Sequence, residues 1–253
     1  MRDLLKRIRL SLTQAWAIAM KDLRVYYFNP PMIMFGLALP VLLFFSFSMR
    51  RGVTARVGVV HLMSLILFFT ASTAGPVILV LERRARTFDR LLTAPMSLAT
   101  LLVGKTLVGV LFALGVSVLP LVGGVAFLGV RVAYPVALIV TMVLAALTFS
   151  SLGIFFGSFA VKNLGQVMMP STMVRWPLLF VSGIFVPLGA LPVWARVVSY
   201  VSPLTYAYDA LGFAVTGRAY HPAPMSVLLL PVWLALFLGI AVRMQRRARK
   251  YGY

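Results

Sequence analysis

Along the chain, long apolar runs alternate with short basic clusters. About six runs have the ~20-residue length that a bilayer-crossing helix needs: Pro31 to Phe47, Val57 to Leu81, Leu98 to Leu119, Pro135 to Ala160, Leu164 to Ile184, and Met225 to Val242. Ahead of the first run, Leu5, Ile8, Leu12, Trp16, Ala19 and Leu23 recur at steps of three and four. Lys6, Arg7, Arg9, Gln14, Lys21 and Arg24 fall largely off that stripe. The pattern predicts an amphipathic helix within residues 1–29, lying in the cytoplasmic headgroup layer with its basic face toward anionic lipid. Asn29-Pro30-Pro31 ends it, because proline has no amide to donate and restrains the residue before it. A signal peptide is the rival reading, but Ser11, Thr13 and Gln14 interrupt the apolar region that such a signal needs. The interval from Phe185 to Pro224 is itself apolar and is punctuated by Pro187, Pro192 and Pro203. It predicts short helices that dip into the outer leaflet and return, a backbone path tolerated there only when buried against protein or lining a cavity. The expected fold class is an all-α membrane protein with about six transmembrane helices, an N-terminal interfacial helix and short re-entrant helices before the last span.

Composition agrees with this reading. Of 253 residues, 61% are hydrophobic and 11% charged, against roughly 45–50% and 25% in a soluble domain, so a water-soluble globule could not hide the apolar surface. The net charge of +19 would suit a nucleic-acid binder, but its placement does not. The basic residues gather between apolar runs, at Arg2 to Arg9, Arg83 to Arg90 and Arg243 to Lys250, and none of these segments could form a basic domain of its own. With an even number of spans and both termini inside, seventeen Lys and Arg fall on the cytoplasmic side and six outside, while Arg175 lies within a span. That asymmetry predicts an N-in, C-in orientation.

Several chemistries are excluded. Cysteine is absent, which removes disulfides, thiolate metal sites and cysteine nucleophiles. Gly104-Lys105-Thr106 resembles the end of a phosphate-binding loop, but the first glycine of that motif would be residue 99, which is Ala99, and the stretch opens an apolar span. His61 and His221 are the only histidines, too few for a histidine metal cage, and both are expected as ordinary polar residues at the outer interface. The acids are Asp3, Asp22, Glu82, Asp89 and Asp209, none near the middle of a span. An ion-coupled carrier usually needs an acid or an unwound site there.

The connection after the second run reads Leu81-Glu82-Arg83-Arg84-Ala85-Arg86-Thr87-Phe88-Asp89-Arg90-Leu91-Leu92-Thr93-Ala94-Pro95-Met96-Ser97. As bare chemistry it is a short charged helix with Phe88, Leu91 and Leu92 on one face, ended by Pro95, or a solvated loop obeying the positive-inside rule. Further on come Ser182-Gly183-Ile184-Phe185-Val186-Pro187-Leu188, Leu191-Pro192-Val193-Trp194, and Ser202-Pro203-Leu204-Thr205-Tyr206-Ala207-Tyr208-Asp209-Ala210-Leu211. The first segment resembles the coupling motif of the permease subunits of ABC type-2 exporters of the multidrug or daunorubicin-resistance kind. The second group is similar to that family's signature before the last span, and Lys21-Asp22-Leu23 and Pro40 resemble its N-terminal region. Two positions depart: Arg86 stands where the coupling motif has glycine, and Gly212 where the signature ends in arginine.

The resemblance implies a half-size permease in a prokaryotic inner membrane that pairs with a second copy or a homologue and with two separately encoded ATPase subunits. ATP and Mg²⁺ would bind those partners; this chain would hold no cofactor and catalyse nothing. Residues 82–97 would form the coupling segment, with Glu82, Arg83, Thr87, Phe88, Leu91, Leu92 and Pro95 transmitting force. Gly183, Pro187, Pro192, Pro203, Tyr206 and Asp209 would shape the outer re-entrant segment, 185–224. The expected cargo is hydrophobic or amphipathic, drug-like or lipid-like. A polysaccharide or glycolipid exporter of the same architecture is the alternative, and an ion-coupled carrier ranks below it.

Two features stand apart from the resemblance. Arg175 falls near the middle of the fifth run, where a lipid-facing arginine costs at least ~2.5–3.5 kcal/mol. It either faces a dimer interface or wet cavity, where it could meet an anionic substrate, or it snorkels or pairs with a neighbouring carbonyl. Ser150, Gly153 and Gly157 put small residues on one face of the fourth run, which permits close helix approach, within the subunit or between subunits.

Overall fold

A computed structural model describes residues 2–26, 33–48, 54–85, 87, 96–159 and 163–250. The chain is all-α. Helix α1 (Arg2–Tyr26) is followed by a π-helical turn, Met34–Ala38, that runs into α2 (Leu39–Ser48); then come α3 (Ala55–Arg84), α4 (Leu98–Leu128) and α5 (Pro135–Gly157). Helix α6 (Leu164–Val181) leads to a 3₁₀ turn at Leu188–Ala190, to α7 (Val193–Ser199) and α8 (Pro203–Thr216), and to the long final helix α9 (Ala223–Lys250).

Local chemistry sets several of these boundaries. Ser97 caps α4 by accepting the Thr100 amide at 3.0 Å, and Asn163 caps α6 by accepting the Gly165 amide at 3.1 Å. Pro135 and Pro203 open α5 and α8, where the missing amide costs no helical bond. Gly129 and Gly217 close α4 and α8 with φ of 62° and 76°, the left-handed conformation that glycine tolerates best. The π turn widens α2's entry, and Thr70 of α3 donates its hydroxyl to the Gly36 carbonyl there.

Among the described residues, four helices are long and apolar enough to cross a membrane: Ala55–Arg84, Leu98–Leu128, Pro135–Gly157 and Ala223–Arg247. The described part of the run from Pro31 and the run from Leu164 do not meet that measure. The first contributes a short apolar helix, Gly36–Ser46, and the second is broken by Pro170, Arg175 and Pro177. Burial separates the roles of the long helices. The most apolar window of α3 is 94% buried, whereas that of α9 is 17% buried, so α3 is the central pillar and α9 presents an apolar flank.

The most extensive packing joins α3 to α5 and then α3 to α4. Phe68 and Phe149 meet edge to face at 5.1 Å in this core. Glycine makes the approach possible: a Cβ on Gly75 would lie 2.5 Å from the backbone of Gly153, and one on Gly109 would lie 2.4 Å from Ser150 Oγ. The small-residue face of α5 is thereby spent within the subunit. Ser150 also donates to the Thr106 carbonyl at 2.6 Å, tying α5 to α4.

Candidate functional site

Three polar constructions stand out in this apolar bundle, at the Glu82 end of α3, in the middle and near the opposite end of α3. At the first of these, α1, the last turn of α3 and the second turn of α4 bring together Lys21, Asp22, Glu82 and Lys105. Lys105 Nζ reaches Asp22 Oδ2 at 3.2 Å and also contacts Glu82 Oε2. Lys21 Nζ lies 2.6 Å from Asp22 Oδ1 and 2.8 Å from Glu82 Oε1. Two cations and two anions make the cluster neutral, which is what allows Asp22, Glu82 and Lys105 to be fully buried. The approach of α1 depends on Gly104, where a Cβ would lie 2.8 Å from the Ala15 carbonyl oxygen.

Burial weakens the hold of Lys21 on its proton, but hydrogen bonds to Asp22 and Glu82 and their charges outweigh it, so its pKa stands above the ordinary 10.5. Lys21 therefore stays protonated at neutral pH. Because the folded-state value is the raised one, its pairing contribution is complete below the unfolded-state pKa and fades only at strongly alkaline pH.

This cluster closes the base of the charged connection. Glu82 opens that connection at the end of α3 and Lys105 follows it inside α4, so the helices on either side of the connection are tied together. Arg83 donates to the Phe159 carbonyl, Arg84 reaches Asn163 Oδ1 at 3.4 Å, and Thr87 donates to the Glu82 carbonyl at 3.3 Å. Phe88, Leu91, Leu92 and Pro95, like Arg86, lie outside the described residues. Sequence reasoning named Glu82 alone and set Lys105 aside as part of a false phosphate loop. The missed signal was a lysine several residues inside an apolar helix, which needs a partner.

In the middle, Arg175 is 1% exposed and points from α6 to α3. Its Nη2 donates to the Ser72 carbonyl at 2.6 Å and its Nη1 to Thr73 Oγ1 at 3.2 Å. The guanidinium therefore lies inside the subunit and pairs with a neighbouring carbonyl.

Near the opposite end, beside Val57 and Val60 of α3, Asp209 of α8 staples the following loop. It accepts the amides of Tyr220 at 2.6 Å and His221 at 3.0 Å and the hydroxyl of Ser226 at 2.9 Å. His221 is buried among the rings of Tyr200, Tyr206 and Tyr220, with centroids 5.0–5.6 Å away, and so is not the interfacial polar residue expected. Tyr206 donates to the Tyr200 carbonyl at 2.8 Å, joining α8 to the end of α7. Pro187 and Pro192 precede the 3₁₀ turn and α7, Pro203 opens α8, and Gly183 takes φ of 92° against Leu188. Replacing Asp209 with alanine removes three acceptor contacts at once and is expected to cost about 2–4 kcal/mol. Protease protection of the 217–222 loop in membrane vesicles measures it, with faster cleavage expected in the variant.

The family model described as ABC-2 type transporter matches residues 13–214. The chain is also similar to the inner membrane transport permease YadH of Escherichia coli strain K12, at 27% identity over 164 residues, 65% of this chain and 64% of that protein. The YadH proteins of Escherichia coli O157:H7 and Shigella flexneri match to the same extent. The match thus spans somewhat less than two thirds of these relatives' own length. Glu82, Lys105 and Asp22, with Arg175 and Asp209, all fall inside the matched region, and on that coverage the chain is a permease-type multi-pass membrane protein that belongs to the ABC-2 type transporter family.

Proposed function

We propose that the chain is the membrane-spanning subunit of an ATP-driven exporter, paired with a second copy or a close homologue and with two ATPase subunits that bind ATP and Mg²⁺. The observation that carries this reading is the neutral Lys21–Asp22–Glu82–Lys105 cluster, with Asp22, Glu82 and Lys105 buried, which ties together the two helices that flank the charged connection. A solvated loop needs no such foundation. A segment that receives force does, because its two ends must move as one body with α1, α3 and α4.

In this reading Phe88, Leu91 and Leu92 dock into the ATPase, and closure of the ATPase pair pushes the segment and switches the permease from inward-facing to outward-facing. Glu82 works from inside the cluster, while Arg83 and Thr87 brace the segment's start. Both termini lie in the cytoplasm, about six segments cross a prokaryotic inner membrane with the four long helices among them, and α7 and α8 re-enter the outer leaflet. The cargo is hydrophobic or amphipathic, drug-like or lipid-like. Supporting this, a cavity of about 480 Å³ between α2, α3 and α4 is lined by apolar groups, among them Phe44, Val59, Leu62, Pro120 and Leu128.

Copurification tests the proposal. The tagged chain, extracted in mild detergent from its native host, is expected to bring down an ATPase subunit. Leu91→Arg, which sets a charge into the docking face, is expected to weaken that pairing by about 2 kcal/mol or more, and Phe88→Ala by about tenfold in affinity, both without loss of insertion. Wild-type pairing in both variants would remove the coupling assignment.

A further inference from the structure

Helix α3 continues through Pro76, which lies inside it. Proline carries no amide proton, so the carbonyl four residues earlier loses its helical donor. That carbonyl belongs to Ser72, and it is the one that Arg175 Nη2 meets at 2.6 Å. We infer that Arg175 is the positioning residue of a hinge in α3: from the neighbouring helix it supplies the hydrogen bond that Pro76 withholds, and it pins α6 to α3 at the point where α3 can bend.

Other observations converge on the same turn. Ser72 and Thr73 each donate their hydroxyl back to the carbonyl four residues earlier, Phe68 at 2.5 Å and Phe69 at 2.6 Å, an arrangement that loosens and bends helices. Thr73 Oγ1 in turn accepts from Arg175 Nη1. Gly75 precedes the proline, and Gly153 of α5 is so close that a Cβ there would lie 2.5 Å from the Ser72 oxygen. The freed carbonyl is thus walled by a glycine on one side and answered by a guanidinium on the other. In the apolar interior of a bundle every carbonyl must be satisfied internally, so the proline and the arginine belong together.

The charge of Arg175 fits this role. Among the described residues the ion pairs engage Asp22, Glu82 and Asp209, and none includes Arg175. A guanidinium has only donors, and here a carbonyl and a hydroxyl accept from it. The hinge divides α3 into an outer portion and a cytoplasmic portion that ends in Glu82. Resting on the exporter reading, motion received by the coupling segment would turn about Ser72–Pro76, with Arg175 carrying α6 along.

The test is a double-mutant cycle on the full chain in lipid nanodiscs, read as thermal midpoint and as the folded fraction on size exclusion. Arg175→Leu is expected to lower the folded fraction about tenfold, because a buried carbonyl loses its donor. Pro76→Ala restores the amide and is expected to leave the fraction within about twofold of wild type. The double variant Pro76→Ala/Arg175→Leu is expected to recover most of the loss, and Arg175→Gln, which keeps a donor, to lose less than Arg175→Leu. Should Arg175→Leu not accumulate, its membrane level with and without Pro76→Ala gives the same comparison. An equal loss from Arg175→Leu in both backgrounds would overturn the inference. The transport arm uses the complex with its ATPase: Pro76→Ala is expected to assemble normally yet fall about tenfold in coupled ATPase activity. Full activity would overturn the hinge's role in transport while leaving the bond itself to the stability cycle. Absence of any ATPase partner would defeat the exporter reading and leave that cycle intact.

Discussion

Lys105→Met is expected to cost the chain a large part of its stability. Asp22 and Glu82 are both fully buried, and Lys105 touches each of them. Without it, Lys21, which is 43% exposed at its side chain, is left to balance two carboxylates. Breaking a buried charge network from one side costs about 3–5 kcal/mol, because the orphaned charge stays behind. Against a total stability of about 5–15 kcal/mol, that loss is large. Thermal unfolding of the purified variant and its level in the membrane are the measurements. Asp22→Asn in the Lys105→Met background removes one charge of each sign and is expected to recover most of the loss. A Lys105→Met protein within about 1 kcal/mol of wild type would mean that water reaches the cluster and that it does not anchor the connection.

Gly153→Val is the second substitution with a large expected effect. A Cβ on Gly153 would lie 2.5 Å from the Ser72 carbonyl oxygen and 2.9 Å from its carbon, and backbone cannot step aside as a side chain can. Overpacking usually costs about 1–3 kcal/mol, and the upper end or more is expected here because α3 and α5 would have to separate along the most extensive helix contact in the chain. Even Gly153→Ala is expected to lose folded protein. Gly123 of α4 provides the control, since a Cβ there meets nothing within 4 Å. Gly123→Ala is expected to be neutral or to gain up to about 1 kcal/mol from helix propensity. Equal tolerance at Gly153 and Gly123 would show that the α3–α5 contact is looser than the glycine packing requires.

Much of this was legible in the chain because apolar run length and basic clustering answer to the bilayer as a solvent, which acts on each segment separately. The all-α class, the four long helices and the charged connection after Leu81 follow from that. The run from Leu164 was less legible: Pro170, Arg175 and Pro177 break its apolar character, and whether such a helix spans depends on what it packs against. Asp22 and Lys105 are 83 residues apart, and no periodicity links them. Each reads alone as an oddity, a lone acid beside a lysine and a lysine in an apolar run.

The sequence by itself determined which segments leave water, since hydrophobicity is a local sum. It also contained Pro76 and Arg175, but as two unrelated anomalies 99 positions apart. Only the tertiary structure decided that the carbonyl freed by the one is satisfied by the other, that Gly153 rather than a lipid or a second subunit closes over it, and that His221 is buried among tyrosines. Hydrogen bonds and buried charges are settled by geometry at about 3 Å, and only the packed bundle brings such distant residues to that range.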